Sequence, residues 1–212
     1  MSTPLPEQPI ERLHDRLARL PLRERKKLKT RRAIQHHALR LFDAQGYDAT
    51  TVEQIADAAE ISPSTFFRYF PTKEDVVITD EWDPIMAEVL RGQPPGLSAI
   101  EALRATFREL FPQMFELDLE AITIRVRLTA TEPALRARTF ISLREGTHLV
   151  LREILAERVG RPEDDSDVET FTWAVLGVLQ SAMYAWVAAY PALDLSELVD
   201  HNLEFLGAGC PL

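Results

Sequence analysis

The chain carries one cysteine, Cys210, among its 212 residues. A lone thiol can form no internal disulfide and cannot by itself make a metal site, so Cys210 reads as an unpaired thiol on the C-terminal tail. No run of eighteen apolar residues occurs, which argues against a membrane-spanning helix. Met1 to Ile10 holds Pro4, Pro6 and Pro9 and lacks the apolar stretch of a secretory leader, so a cytoplasmic chain without a signal peptide is expected. There is no glycine-rich phosphate loop, no GxSxG and no HExxH. The one close histidine pair, His36 and His37, is adjacent and points to different sides of a helix, so it cannot chelate as an i,i+4 pair would. Neither a catalytic residue, a cofactor nor a metal is expected. Alternating apolar positions are also scarce. Ala121 to Leu128 alternates at Ile122, Ile124, Val126 and Leu128, but its flanks have helical spacing, and a helix is expected there as elsewhere.

What the chain does have is an ordinary globular composition, 46% apolar and 27% charged, and an uneven distribution of charge. The net charge is −9, yet the segment from Glu11 to Asp75 is net positive and the remainder strongly negative. The positive side chains crowd between Leu22 and Phe42, where Arg23, Arg25, Lys26, Lys27, Lys29, Arg31, Arg32 and Arg40 face Glu24 alone. A basic N-terminal element on an acidic body fits a protein that touches phosphate at one end; the competing reading is a solvated helix face.

Local signals divide the chain into helices. Ile10, Leu13, Leu17 and Leu20 predict a short amphipathic helix with Arg12, Arg16 and Arg19 on its other face, following a disordered start. A helix is expected over 23–45, ended by Gly46 in a left-handed conformation. Thr51 and Gln54 have capping-box spacing and open a helix to Ala58, with Val52, Ile55 and Ala56 inward. After a tight turn at Glu60 and Ile61, Ser62 caps a helix whose first turn holds Pro63, and which stops near Phe70 because Pro71 disfavours helix at the residue before it. Thr72 and Asp75 start a helix expected to run unbroken to about Arg91. Beyond the loop Gly92 to Gly96, helices are predicted over 98–114, 120–131, 134–159, 167–189 and 196–206.

The short helices before Pro71 have the form of a helix-turn-helix, in which one helix lies across the DNA backbone and the next enters the major groove. Phe66 and Phe70, four apart, would face the core. Ser64, Thr65, Phe67, Arg68 and Tyr69 are left on the outer arc, with Arg68 as the one long side chain able to make a bidentate contact to guanine. The string TTVEQIADAAEISPSTFFRYFPTKEDVV, Thr50 to Val77, closely resembles the signature of the TetR family of bacterial transcriptional regulators. The resemblance implies an all-α protein with a three-helix, homeodomain-like DNA-binding domain and a C-terminal helical domain for ligand binding and dimerisation. The corresponding division is an extension over 1–21, the helix-turn-helix domain over 22–71 and the sensing domain over 72–212. It also implies roles: Thr51 on phosphate; Ser62, Ser64 and Thr65 on backbone or bases; Phe67 against sugar or a thymine methyl; Tyr69 and Lys73 on phosphate. The family usually has tyrosine where Phe67 stands, so the hydroxyl is lost here. For Phe67 and Tyr69 the competing reading is core packing.

The resemblance further implies a homodimer on a double-stranded, palindromic DNA operator, without membrane association, acting as a repressor that an apolar or amphipathic small molecule releases. Two strings, TFFRYFPTKEDVV and PALRAR (Pro133 to Arg138), resemble an acyl- and lipid-related branch of the family. Asp167 to Ala189 is apolar around more than half its circumference, which predicts that it forms a four-helix dimer interface with 196–206. Candidate pocket residues are Trp82, Met86, Phe107, Phe111, Met114, Phe115, Ile124, Leu128, Phe140, Leu143 and Met183, with Arg125, Arg127 and His148 as polar handles. Ordinary core packing is the competing reading for each. A regulator or activator without a ligand is the alternative.

Overall fold

The computed structural model describes residues 21–79, 82–190 and 192–211. The amphipathic helix predicted over Ile10 to Leu20 lies outside them. The described residues are helical, without a strand: α1 (Leu22–Gln45), α2 (Val52–Ala58), α3 (Pro63–Tyr69), α4 (Lys73–Ile78), α5 (Asp83–Gly92), α6 (Ala99–Thr131), α7 (Pro133–Ser142), α8 (His148–Val159), α9 (Ser166–Ala189) and α10 (Leu195–Gly207). A π-helical turn, Leu143–Thr147, joins α7 to α8.

Most helix starts follow their side-chain signals. Thr51 and Gln54 form a complete capping box on α2, as do Thr72 and Asp75 on α4 and Ser98 and Glu101 on α6. Ser62 accepts from the Thr65 amide, with Pro63 in the first turn of α3. The end of α2 is less ordinary. Ile61 N donates to Ala56 O and Glu60 N to Asp57 O, the paired bonds of a Schellman stop, which places Glu60 at φ 55° where glycine is favoured.

Three expectations change. The helix predicted over 72–91 is two helices, with Thr79 extended at ψ 120° and Pro84 in the first turn of α5. Within an unbroken helix the Pro84 ring would clash with the carbonyl four residues earlier. The helices predicted over 98–114 and 120–131 are both present: they meet at a kink at Asp118 (φ −154°, ψ 26°), are described together as α6, and Pro112 lies inside the first of them. The helix predicted over 134–159 is interrupted by the π-turn, where the hydrogen bonds slip by one residue. Gly46 has positive φ (90°), but ψ 154° puts it outside the left-handed helical region. The strand-like Ala121 to Leu128 is helical, since Ala121, Ile124 and Leu128 recur on one buried face of α6.

Two cores result. The N-terminal core joins Ile34, Leu39 and Phe42 of α1 to Ile55, Phe66, Phe70, Val76 and Val77, and extends to Ile124 and Leu128 of α6 and Leu135 of α7. The C-terminal core is built from α5, α6 and α8 to α10 around Leu103, Leu110, Leu155, Val175, Trp186 and Leu203. Alpha6 therefore belongs to both. Asp200 of α10 accepts from Arg104 Nε (2.8 Å) and Arg108 Nη2 (2.8 Å) of α6. The two guanidiniums, Arg104 foremost, hold the Asp200 carboxyl below its usual range, at about 2. Arg158 of α8 donates to the carbonyls of Leu90, Gln93, Pro94 and Leu97, tying down the proline-rich loop after α5.

Candidate nucleic-acid interface

Alpha3 is anchored by two phenylalanines. Phe66 and Phe70 are fully buried, and their rings lie 6.0 Å apart. Burying that stripe of a seven-residue helix leaves the opposite arc outward, so Ser64, Phe67 and Arg68 are exposed. Phe67 keeps 50% of its surface in solvent, which excludes core packing for it. Tyr69 is half-buried at the edge of the N-terminal core, and the Arg68 guanidinium lies 5.6 Å from its ring centroid. At the start of α3, Ser62 Oγ is 2.9 Å from Ser64 Oγ and 3.0 Å from Thr65 Oγ1, which brings the three predicted hydroxyl groups into one cluster. This end of the helix thus presents small donors and acceptors, and its far end presents one long cation.

Thr51 is exposed, and its side chain caps α2. Lys73 has a second task besides the predicted one. Its Nζ donates to Tyr47 O (2.8 Å) and Thr50 O (3.1 Å) and sits 4.1 Å from the Tyr47 ring centroid. An ammonium has three N–H donors, so one remains beyond these two bonds. Tyr47 OH donates to Glu74 Oε1 (2.9 Å). Burial, and then the Glu74 carboxylate, raise the Tyr47 phenol above its usual range. Burial alone would raise the Glu74 carboxyl, but hydrogen bonds from its own backbone, Tyr47 and Thr72 outweigh that and lower it. Sequence reasoning missed Tyr47: its signal was an aromatic residue directly after Gly46, and its partner lies 26 residues away.

At its other end, α4 is held from both halves of the molecule. The buried Gln35 of α1 donates through Nε2 to Val76 O (2.7 Å) and Thr79 O (3.0 Å). Arg125 of α6 donates through Nε to Val77 O (3.1 Å) and through Nη2 to Thr79 O (3.0 Å). Arg125 is therefore a cap on α4, a role its position on an otherwise apolar stretch did not reveal.

The residues predicted to line a pocket do not form one group. Trp82, Phe107, Phe111 and Met114 are buried in the C-terminal core, with Met86, Phe115 and Met183 packed against it. Phe107, Phe111, Phe115 and Trp186 follow one another at ring distances of 5.0, 5.5 and 6.1 Å. Ile124 and Leu128 instead face the N-terminal core, because α6 turns a different side there. Phe140 is exposed and stacks on Trp173, and Leu143 lies in the π-turn. Arg127 pairs with Asp43 of α1. His148 is buried, stacked 4.3 Å from Trp173 with Nε2 3.2 Å from Glu169 Oε2, the core histidine that its apolar helix suggested.

Residues 34–78 match the family described as bacterial regulatory proteins, tetR family, and residues 97–211 match the MftR C-terminal domain. The transcriptional regulator TcmR of Streptomyces glaucescens is 36% identical over 161 residues, 73% of this chain and 71% of its own length. The putative mycofactocin biosynthesis transcriptional regulator MftR of Mycobacterium tuberculosis is 29% identical over 84% of this chain and 92% of its own. Among solved structures, the TetR-family repressor FadR of Thermus thermophilus, in complex with lauroyl-CoA, superposes with a TM-score of 0.58 at 27% identity, covering 86% of this chain and 95% of that one. With its helix-turn-helix at one end and helical body at the other, the chain belongs to the TetR family and is a DNA-binding transcriptional regulator.

Proposed function

We propose that the chain is a repressor that binds a palindromic operator as a homodimer and is released by an apolar or amphipathic small molecule. The outward arc of α3 carries this reading: with Phe66 and Phe70 fixed inward, Ser64, Phe67 and Arg68 are aimed away from the protein on a rigid helix. In the complex, Thr51, Tyr69 and the remaining N–H of Lys73 bind phosphate. The hydroxyl cluster of Ser62, Ser64 and Thr65 contacts backbone or bases, and Phe67 packs on sugar or a thymine methyl. Arg68 leaves the Tyr69 ring to read guanine. The acidic net charge does not oppose this, since the first turns of α1, from Arg23 to Lys27, are exposed and basic.

Dimerisation is supported by α9. It is long and apolar enough to span a membrane by length and composition, yet only 28% of its most apolar window is buried within one subunit. Its exposed positions Gly177, Ser181, Ala185 and Ala188 are small and recur at helical spacing, which suits a second copy packed closely through α9 and α10. Two recognition helices held about 34–36 Å apart would then enter successive major grooves. The effector is read from the likeness to the lauroyl-CoA-bound FadR and from the aromatic and methionine residues of the C-terminal core, an adaptable apolar lining. Binding would favour a state with the helices out of register. Acting on DNA in this way places the protein in the cytoplasm.

The test is gel-shift binding to the DNA flanking its own gene across a salt series. Neutralised phosphates must release counterions, so affinity falls steeply as salt rises. A slope near zero overturns the DNA reading, and equal operator affinity with and without a bound acyl thioester overturns the effector reading.

A further inference from the structure

The turn between α1 and α2 is fixed from within and aims two carbonyls at one cation. Thr50 N donates to Tyr47 O (3.3 Å), and Thr50 Oγ1 donates to Gly46 O (2.8 Å). Gln45 Nε2 donates in turn to Thr50 Oγ1 (3.1 Å) and to Gln54 Oε1 of α2 (3.0 Å). The carbonyls of Tyr47 and Thr50 receive Lys73 Nζ, which also lies 4.1 Å from the Tyr47 ring centroid. That ring is itself held: it is buried, packs on Phe42 at 5.0 Å, and its hydroxyl donates to Glu74. The three holds on the ammonium, two carbonyls and a ring, are electrically neutral, so they fix its place and leave its charge to an anion. Glu74 is engaged by Tyr47, by Thr72 and by its own backbone. Thr50 O belongs to the peptide unit that leads into Thr51, so the turn places Lys73 beside the other residue predicted to bind phosphate.

We propose that Tyr47 is a positioning residue for DNA binding: its ring holds the Lys73 ammonium with the third N–H turned toward an operator phosphate. The proposal rests on the phosphate role given to Lys73 above and names the residue through which that role is set. A lysine free in solvent must be ordered when it meets its phosphate, at a cost in rotamer entropy. Here the folded turn has ordered it beforehand. The attraction between ammonium and ring comes from the negative face of the aromatic quadrupole, so drawing electrons out of the ring weakens it with little change of shape.

The test is a double-mutant cycle on the full chain, with binding to the DNA flanking its own gene measured across a salt series. Tyr47→Phe is the reference, since it keeps the ring and leaves Glu74 its other two partners. Exchanging that phenylalanine for trifluorophenylalanine is expected to weaken DNA binding by about threefold. Lys73→Met is expected to lower the salt slope by about one, and in that background the fluorinated ring is expected to cost nothing further. Lys73→Gln, whose amide is an uncharged donor, takes its place if the methionine variant does not fold. An equal loss on fluorination with and without Lys73 assigns the ring to packing alone. That result, or no loss in either background, overturns the positioning role and leaves the phosphate contact standing. A wild-type salt slope in the Lys73 variant overturns the phosphate contact and the role of Tyr47 with it.

Discussion

Glu60 occupies the turn between α2 and α3 at φ 55°, a conformation that costs an L-residue about 1–2 kcal/mol and glycine nothing steric. Its exposed side chain leaves that cost uncompensated by burial. Glycine's extra freedom in the unfolded chain returns part of the gain, about 0.5–1 kcal/mol. Glu60→Gly is expected to stabilise the protein and raise its melting temperature by about 1–3 °C; a lower melting temperature by calorimetry would show that the strain is absent. At Arg68 the expectation concerns specificity. Arg68→Ala should cost about 1–3 kcal/mol on the cognate operator and relax discrimination at one base pair, read by competition binding against single-substituted operators. A uniform loss on every sequence identifies a phosphate contact instead.

Among the elements, α10 is tied to α6 through the Arg104, Arg108 and Asp200 cluster. The Asp200 carboxyl is depressed from 3.8 to about 2 in the folded protein. A depressed carboxyl stabilises the fold above its unfolded value, and the contribution is lost as pH falls from about 4 toward 2. Asp200→Asn should therefore lower stability by about 1–2 kcal/mol at neutral pH and flatten the acid limb of the stability curve in that window. Denaturant titrations of both proteins at pH 7 and pH 3 check this: an equal difference at the two pH values would remove Asp200 from the cluster's energetics. The elements also mark where sequence reasoning reached. Caps at Thr51, Ser62 and Thr72 were legible because each signal and its partner lie within three residues. The break after α4 was not, although Pro84 was visible, because the acceptors that end α4 are satisfied by Gln35 and Arg125, more than forty residues away on either side.

At the scale of the whole molecule, the outward face of α9 makes an expectation about assembly. Ala185→Arg puts a long cation on that face. It is expected to give a monomer by sedimentation velocity with an unchanged helical circular dichroism spectrum, and to weaken operator binding by at least about tenfold, since two half-sites no longer bind together. A dimer that survives the substitution would move the interface elsewhere.

The amino-acid sequence by itself determined the helical class, the caps, the inward pair Phe66 and Phe70, and the outward placement of Ser64, Phe67 and Arg68, because helical periodicity and capping act over a few residues. Tertiary structure alone decided that Lys73 braces the loop before α2, that Arg125 caps α4, and that the proposed pocket residues divide between two cores. Each of these depends on pairs dozens of residues apart. Which of two apolar faces of α6 meets which core is settled only when the helices pack.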